Sequence, residues 1–197
     1  MLFRSRDTPG LSIGAPIKKM GLRTSPLCEL FLDDCRIPAG HVVGRVGGGF
    51  MVLDHVMKRE ILLSFVVNAG EMQHRLDRCL SYVNSRQAFG QRIGAYQSVA
   101  NQVVDMKIGV ETSRKWLYDT AVRLGRGENV TTDMAIAKLI TSRANLASSL
   151  SAVQIFGGNG YMAEYGLEKD VRNAVAGTIY SGTTEIQYNR IASMLGL

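Results

Sequence analysis

Proline, histidine and cysteine are all scarce in this chain of 197 residues, and each scarcity excludes something. The three cysteines, Cys28, Cys35 and Cys79, are odd in number and form no CxxC pair. That argues against a disulfide framework or a zinc–thiolate site, and suits a reducing compartment. The three histidines, His41, His55 and His74, form neither HxxxH nor HExxH, so no metal is expected. No apolar run approaches the roughly 18 to 20 residues of a membrane span. Met1 leads into Leu-Phe-Arg-Ser-Arg-Asp, which has no apolar signal region behind a basic start. A soluble, cytoplasmic protein is the expectation. The 23 Lys and Arg exceed the 17 Asp and Glu, giving a formal charge of +6, but the basic residues are scattered. They form no aromatic–basic stripe, so nucleic acid is not an expected partner. The 46% of hydrophobic residues rules out disorder along the whole chain.

What is present divides near residue 47. All four prolines, Pro9, Pro16, Pro26 and Pro38, precede it, among turn residues such as Asp7-Thr8-Pro9-Gly10 and Pro38-Ala39-Gly40. That segment reads as short strands and loops. After Gly47-Gly48-Gly49 no proline occurs, as a helical bundle requires, since an interior proline costs about 3 kcal/mol. Helical spacing is present as well. Leu53, Val56, Met57, Glu60, Leu63, Ser64 and Val67 share one face between Phe50 and Arg86. Val99, Val103, Met106, Val110, Leu117, Ala121 and Leu124 form a second stripe. Leu139, Ser142, Leu146, Leu150 and Val153 form a third, on a helix from Thr132 to about Phe156. The stretch Ala88–Gly94 is expected to be a loop, a shorter helix to cover Glu164–Asn173, and a last helix to start near Thr183.

Four places carry chemical interest. Glu60 is an acid on an apolar stripe, where a poorly solvated carboxylate becomes a stronger base; pairing with Lys58 or Arg59 is the plainer alternative. Gln154-Ile-Phe-Gly-Gly-Asn-Gly160 clusters glycines after a helix, so another molecule can approach the backbone, although a helix stop would look the same. Ser181-Gly182-Thr183 before an apolar helix is a cap whose free amides can receive an anion or a carbonyl oxygen. Arg86-Gln-Ala-Phe-Gly-Gln-Arg-Ile-Gly94 is a basic interhelical loop that can meet phosphate or simply be solvated.

In order and spacing these landmarks resemble the carboxy-terminal part of the FAD-dependent acyl-CoA dehydrogenases. The matching stretches are Asp7-Thr8-Pro9-Gly10, Lys19-Met20-Gly21, Asp34-Cys35-Arg36-Ile37-Pro38 and Gly47-Gly48-Gly49-Phe50. They continue with Arg86-Gln-Ala-Phe-Gly90, Ala152-Val-Gln-Ile-Phe-Gly-Gly-Asn-Gly-Tyr161, Arg172-Asn-Ala174 and Ile179-Tyr-Ser-Gly-Thr-Thr-Glu-Ile-Gln187. The resemblance implies a mainly α fold, an up-down bundle of the four-helix type, preceded by a short β remnant. Residues 1–45 would be the tail of the family's middle β-domain and residues 46–197 its helical domain. It also implies oxidation of an acyl thioester to the trans-2-enoyl thioester. A glutamate takes the α-proton while hydride leaves the β-carbon for FAD.

Most members carry that glutamate directly before the Gly-Thr of a Tyr-Glu-Gly-Thr motif, a position that is Ser181 here. A minority, similar to isovaleryl-CoA dehydrogenase, carry it in the first long bundle helix, which falls on Glu60. The Ser181 and Gly182 backbone keeps its implied role at the thioester carbonyl. Arg86 and Phe89 match residues that meet a neighbouring subunit's FAD. Gln154, Gly157 and Gly158 match the strip along its adenosine part, and Thr183 and Glu185 match contacts from the chain's own bundle. The family pattern implies a dimer or tetramer and an electron-transfer flavoprotein as acceptor. Two departures stand near the base, Lys58 for an acid and Ile61 for an arginine, and a third is Ser193 for an arginine. They leave CoA and a carrier protein both open as the acyl carrier. The rival expectation is a non-catalytic assembly partner of a second, related chain. A homo-oligomer, or a complementary chain supplying the missing amino-terminal half, is what the resemblance implies.

Overall fold

The computed structural model describes residues 5–197, which form two compact units divided between Arg59 and Glu60. In the first unit, β1 (Leu11–Ile13) pairs antiparallel with β2 (Leu30–Leu32), Leu11 opposite Leu32 and Ile13 opposite Leu30. Gly10 makes the entry to β1 possible. Its φ is +82°, and a Cβ there would lie 2.1 Å from the Asp33 carbonyl oxygen. The Lys19 amine ties the following loop by donating to the carbonyls of Leu22 and Ser25. Leu30, Phe31 and Leu32 are each more than half exposed. A ribbon of two three-residue strands buries too little apolar surface to be stable unaided.

The long helix α1 (Gly49–Ser85) runs through the division. The second unit continues it with a hairpin, β3 (Gln87–Ala88) and β4 (Gln91–Arg92). Then come α2 (Gln97–Gly125), α3 (Thr131–Phe156), the single turn α4 (Gly158–Tyr161), α5 (Leu167–Gly177) and α6 (Thr184–Met194). Two apolar clusters fix the bundle. At one end Leu76, Cys79 and Val83 of α1 meet Val103 and Met106 of α2 and Ile155 and Phe156 of α3. At the other, Ile61, Phe65 and Ala69 meet Leu117 of α2 and Met134 and Ala137 of α3. The late part of α1 therefore faces the early part of α2 and the late part of α3, which is up-down-up topology. Helices α5 and α6 both pack on α3. The described residues are mainly helical, as the sequence implied.

Two details depart from the sequence reading. The stripe built on Leu53, Val56, Leu63 and Val67 is the exposed face of α1, at 43%, 50%, 71% and 62% accessibility. The bundle instead takes Ile61, Phe65, Ala69, Met72 and Leu76. Residues 61–67 of α1 are apolar nearly all round, so periodicity alone could not choose its buried side there. Residues 88–94 include the end of β3, the hairpin turn and all of β4, where a loop was expected. Phe89 and Gly90 take φ of +52° and +84° at its turn, and the Tyr96 hydroxyl donates to the Ala88 carbonyl at 3.0 Å. Strands of two residues are too short to leave an alternating pattern.

Candidate active site

The site begins with a turn that the sequence makes tight. After α5 the chain reverses through Ser181 and Gly182, with φ of +56° and +87°. Gln187, buried on α6, reaches back so that its Nε2 donates to the Ser181 carbonyl at 3.0 Å and the Gly182 carbonyl at 3.2 Å. A Cβ at Gly182 would stand 2.7 Å from that nitrogen, so only glycine fits. Thr183 caps α6, its hydroxyl accepting from the Ile186 N–H at 3.4 Å. Just before the turn, Tyr180 is fixed by α1. Asn68 Nδ2 donates to its hydroxyl at 2.9 Å, and the Phe65 ring lies 5.3 Å from its own. Burial pushes the Tyr180 phenol upward.

This arrangement delivers Ser181 to Glu60. The Ser181 hydroxyl donates to both carboxylate oxygens, 2.8 Å to Oε1 and 2.7 Å to Oε2. Ser64, one turn along α1, donates to Oε1 at 2.8 Å. Glu60 is half-buried. Lys58 and Arg59, the expected ion-pair candidates, have other partners: Lys58 meets Asp54 at 2.9 Å and Arg59 Nη1 donates to the His55 carbonyl at 3.1 Å. Ile61, where the family's minority pattern has arginine, is fully buried in the core.

The structure adds a residue that sequence reasoning missed. Lys138 of α3 is fully buried, its amine 3.3 Å from the Gly177 carbonyl and 5.5 Å from the centre of the Phe65 ring. Desolvation lowers its pKa to about 8, against the opposing pull of Glu185 and Glu60. The only signal in the sequence was a lysine on an otherwise apolar turn, Ala137-Lys138-Leu139. Its linkage has a definite sign. The unfolded chain binds this proton more tightly, so stability rises with pH across the window from about 8 to 10.5. Relative to Lys138→Met, the wild type should gain about 3 kcal/mol across it. Urea denaturation of both proteins at pH 7.5 and 10.5 (about these values) checks this, and parallel curves would refute it.

A second group of expected residues meets elsewhere. Arg86, Gly157 and Gly158 line one cavity of about 340 Å³ with Tyr82, Ile93 and Phe156. Tyr82 stacks on Phe156 at 3.9 Å, and Asn159 Nδ2 donates to the Tyr82 hydroxyl at 3.1 Å, which pins the glycine segment to α1. A Cβ at Gly157 or Gly158 would touch nothing within 4 Å, so their backbone is open to a ligand. Gln154 is exposed one turn earlier, and Phe89 is 98% exposed at the hairpin tip. Thr183 and Glu185 lie with the Glu60 group, at the start of α6; a backbone N–H and Thr183 hold the Glu185 carboxyl below its ordinary range. An arginine, open glycine backbone and a stacked aromatic wall fit the adenosine-diphosphate part of a dinucleotide.

Fold and site together define a helical-bundle domain with a hydroxyl-bound carboxylate beside a helix-start turn and a separate glycine–arginine cleft. Residues 47–196 match the acyl-CoA dehydrogenase C-terminal domain, and the chain belongs to that family. It is 34% identical over 192 residues to the L-prolyl-[peptidyl-carrier protein] dehydrogenase of Pseudomonas fluorescens, covering 98% of this chain and 50% of that protein. Against the mitochondrial isovaleryl-CoA dehydrogenase of Bos taurus it is 32% identical over 179 residues, 91% of this chain and 42% of that one. Two solved structures superpose with a TM-score of 0.97 and cover 100% of the chain. One is the prolyl acyl carrier protein oxidase AnaB, at 37% identity and 52% of its length. The other is PigA with FAD and proline, at 34% and 51%. The chain thus spans about half the length of the relatives it matches. No helix among the described residues is long and apolar enough to cross a membrane.

Proposed function

We propose that this chain carries the general base and part of the FAD site of an acyl-thioester dehydrogenase, with Glu60 as the base. The observation that carries the reading is the meeting of Glu60 with Ser181. These are the two sequence positions at which the family resemblance places its glutamate, and their side chains lie 2.7 Å apart. One point in space is thus served from either position.

Bound FAD supplies the two-electron oxidant. This chain's residues do the rest. Glu60 removes the α-proton of the acyl thioester, and the N–H groups of the Ser181–Gly182 turn receive the thioester carbonyl oxygen as it gains charge. Arg86, Phe89, Gln154, Gly157 and Gly158 hold the adenosine and pyrophosphate side, and Thr183 and Glu185 contact the dinucleotide at the α6 start. Phe89 and the cleft serve a neighbouring copy's cofactor, which makes the working form a dimer or tetramer. Residues 1–45 are the tail of a β-domain and 46–197 the helical domain. The remaining walls come from an amino-terminal half or a complementary chain, electrons pass on to an electron-transfer flavoprotein, and the assembly works in the cytoplasm.

A carrier-protein thioester is favoured over CoA as a second reading, because two of the similar proteins are named for prolyl carrier-protein substrates. The test is anaerobic mixing of the FAD-loaded protein with butyryl-CoA, isovaleryl-CoA and L-prolyl-carrier protein. Loss of the oxidised flavin band with any of them supports the dehydrogenase. No FAD uptake and no bleaching, alone or with the complementary half, leaves the assembly-partner reading in its place. Phe89→Ala supplies a narrower check. At 98% exposure its loss should leave unfolding stability within about 0.5 kcal/mol. Losing one aromatic contact should weaken FAD affinity about tenfold, as read by flavin fluorescence; unchanged affinity would remove Phe89 from the cofactor site.

A further inference from the structure

We propose that the Ser181 hydroxyl is a positioning residue for Glu60, fixing the rotamer of its carboxylate. The inference deepens the reading of Glu60 as the base and rests on it. Ser181 has one proton, and both carboxylate oxygens lie within reach of it, at 2.8 and 2.7 Å. Ser64 adds a second donor to Oε1 only. Oε1 therefore carries two hydroxyl contacts and Oε2 one, which makes Oε2 the oxygen better placed to take a proton.

The hydroxyl is not there by default. Ser181 occupies the left-handed region, φ +56°, which favours glycine, so the backbone alone would accept a residue with no side chain. The turn is held from behind by Gln187 and from in front by Tyr180, itself bonded to Asn68. Serine at this point adds a rigidly placed donor of fixed reach. With Ser64 on the same helix face, it leaves the carboxylate one hydrogen-bonded orientation before substrate arrives.

Other groups act on Glu60 as well. Lys138 of α3 attracts it, and Tyr180 lies within its field; Glu185 of α6 and Glu71 of α1 act on those two in turn.

The test is infrared difference spectroscopy of the full chain, with the carboxyl bands of Glu60 assigned by their loss in Glu60→Gln. Ser181→Gly suits the backbone and deletes the hydroxyl. Ser181→Cys keeps the volume with a weak donor. In both, the Glu60 bands should move and broaden as the carboxyl group samples other rotamers, and Ser64→Ala should move them less. The limiting rate of flavin reduction by butyryl-CoA should fall about tenfold in the Ser181 variants with KM little changed. Bands at the wild-type position and width in both variants overturn the proposal, as does a change in Ser181→Gly alone, which would assign the effect to the backbone. If Glu60→Gln retains turnover while the band change persists, the base lies elsewhere and the Ser181–Glu60 coupling still stands.

Discussion

Glu60→Gln lowers acyl-thioester-dependent flavin reduction by about 10³- to 10⁴-fold while FAD remains bound. Glutamine has nearly the same shape, so the turn at Ser181 keeps its place. Its amide cannot take up a proton at neutral pH, however, and nothing nearby replaces it. Ser181 is a hydroxyl, far too weak a base. Lys138 is buried, its amine already donating to the Gly177 carbonyl and set over the Phe65 ring. Glu71 stands about three turns further along α1, and Asn145 hydrogen-bonds to it. The cleft lined by Arg86, Gly157 and Gly158, proposed above for the cofactor, does not include Glu60, so flavin should stay bound. Stopped-flow mixing with butyryl-CoA and L-prolyl-carrier protein reads the effect directly. A reduction rate within tenfold of wild type would move the base to another residue.

Arg75→Ala destabilises the helical unit by about 3 to 5 kcal/mol. Arg75 is only 1% exposed and crosses from α1 to α3 and α5. Its Nη1 donates to Asn145 Oδ1 at 3.1 Å, Ser148 Oγ at 3.2 Å and the Asn145 carbonyl at 3.4 Å, and its Nε faces Asp170 at 3.4 Å. Helix α3 is rich in buried polar side chains at this level, Asn145, Ser148 and Ser149 among them. Asn145 and Ser148 lose their common donor when the guanidinium goes, and Asp170 loses its cation. Burial already pushes the Glu71 carboxyl above its ordinary range, with Arg75 the largest opposing influence. Without Arg75 that carboxyl should become neutral more readily, adding a pH dependence. Urea unfolding followed by circular dichroism tests both effects. A loss below about 1 kcal/mol would show that water replaces the guanidinium, and that the network is not a support of the fold.

Much of this was legible before any coordinates. The absence of proline after Pro38 and the spacing of Val103, Met106, Val110 and Leu117 specify long helices, because backbone hydrogen bonding within a helix depends only on local residues. Gly157 and Gly182 were legible as turn residues for a local reason too: their φ of +59° and +87° is a conformation that favours glycine. Glu60 stood out as an acid on an apolar face.

Other features required the tertiary structure. Which side of α1 is buried could not be read, since both sides are apolar and only the packing of α2 and α3 chooses Ile61 and Phe65 over Leu63 and Val67. Lys138 looked like an ordinary lysine until burial against Phe65 and α5 gave it a lowered pKa. Above all, the Ser181–Glu60 hydrogen bond joins residues 121 apart in the chain. Local sequence carries no trace of such a contact, because its geometry is set by the Gln187 and Tyr180 bonds that fix the turn against α6 and α1. The sequence by itself determined the helices, the turns and the presence of a candidate acid. The tertiary structure decided what that acid touches, because side chains distant along the chain meet only where the helices carry them.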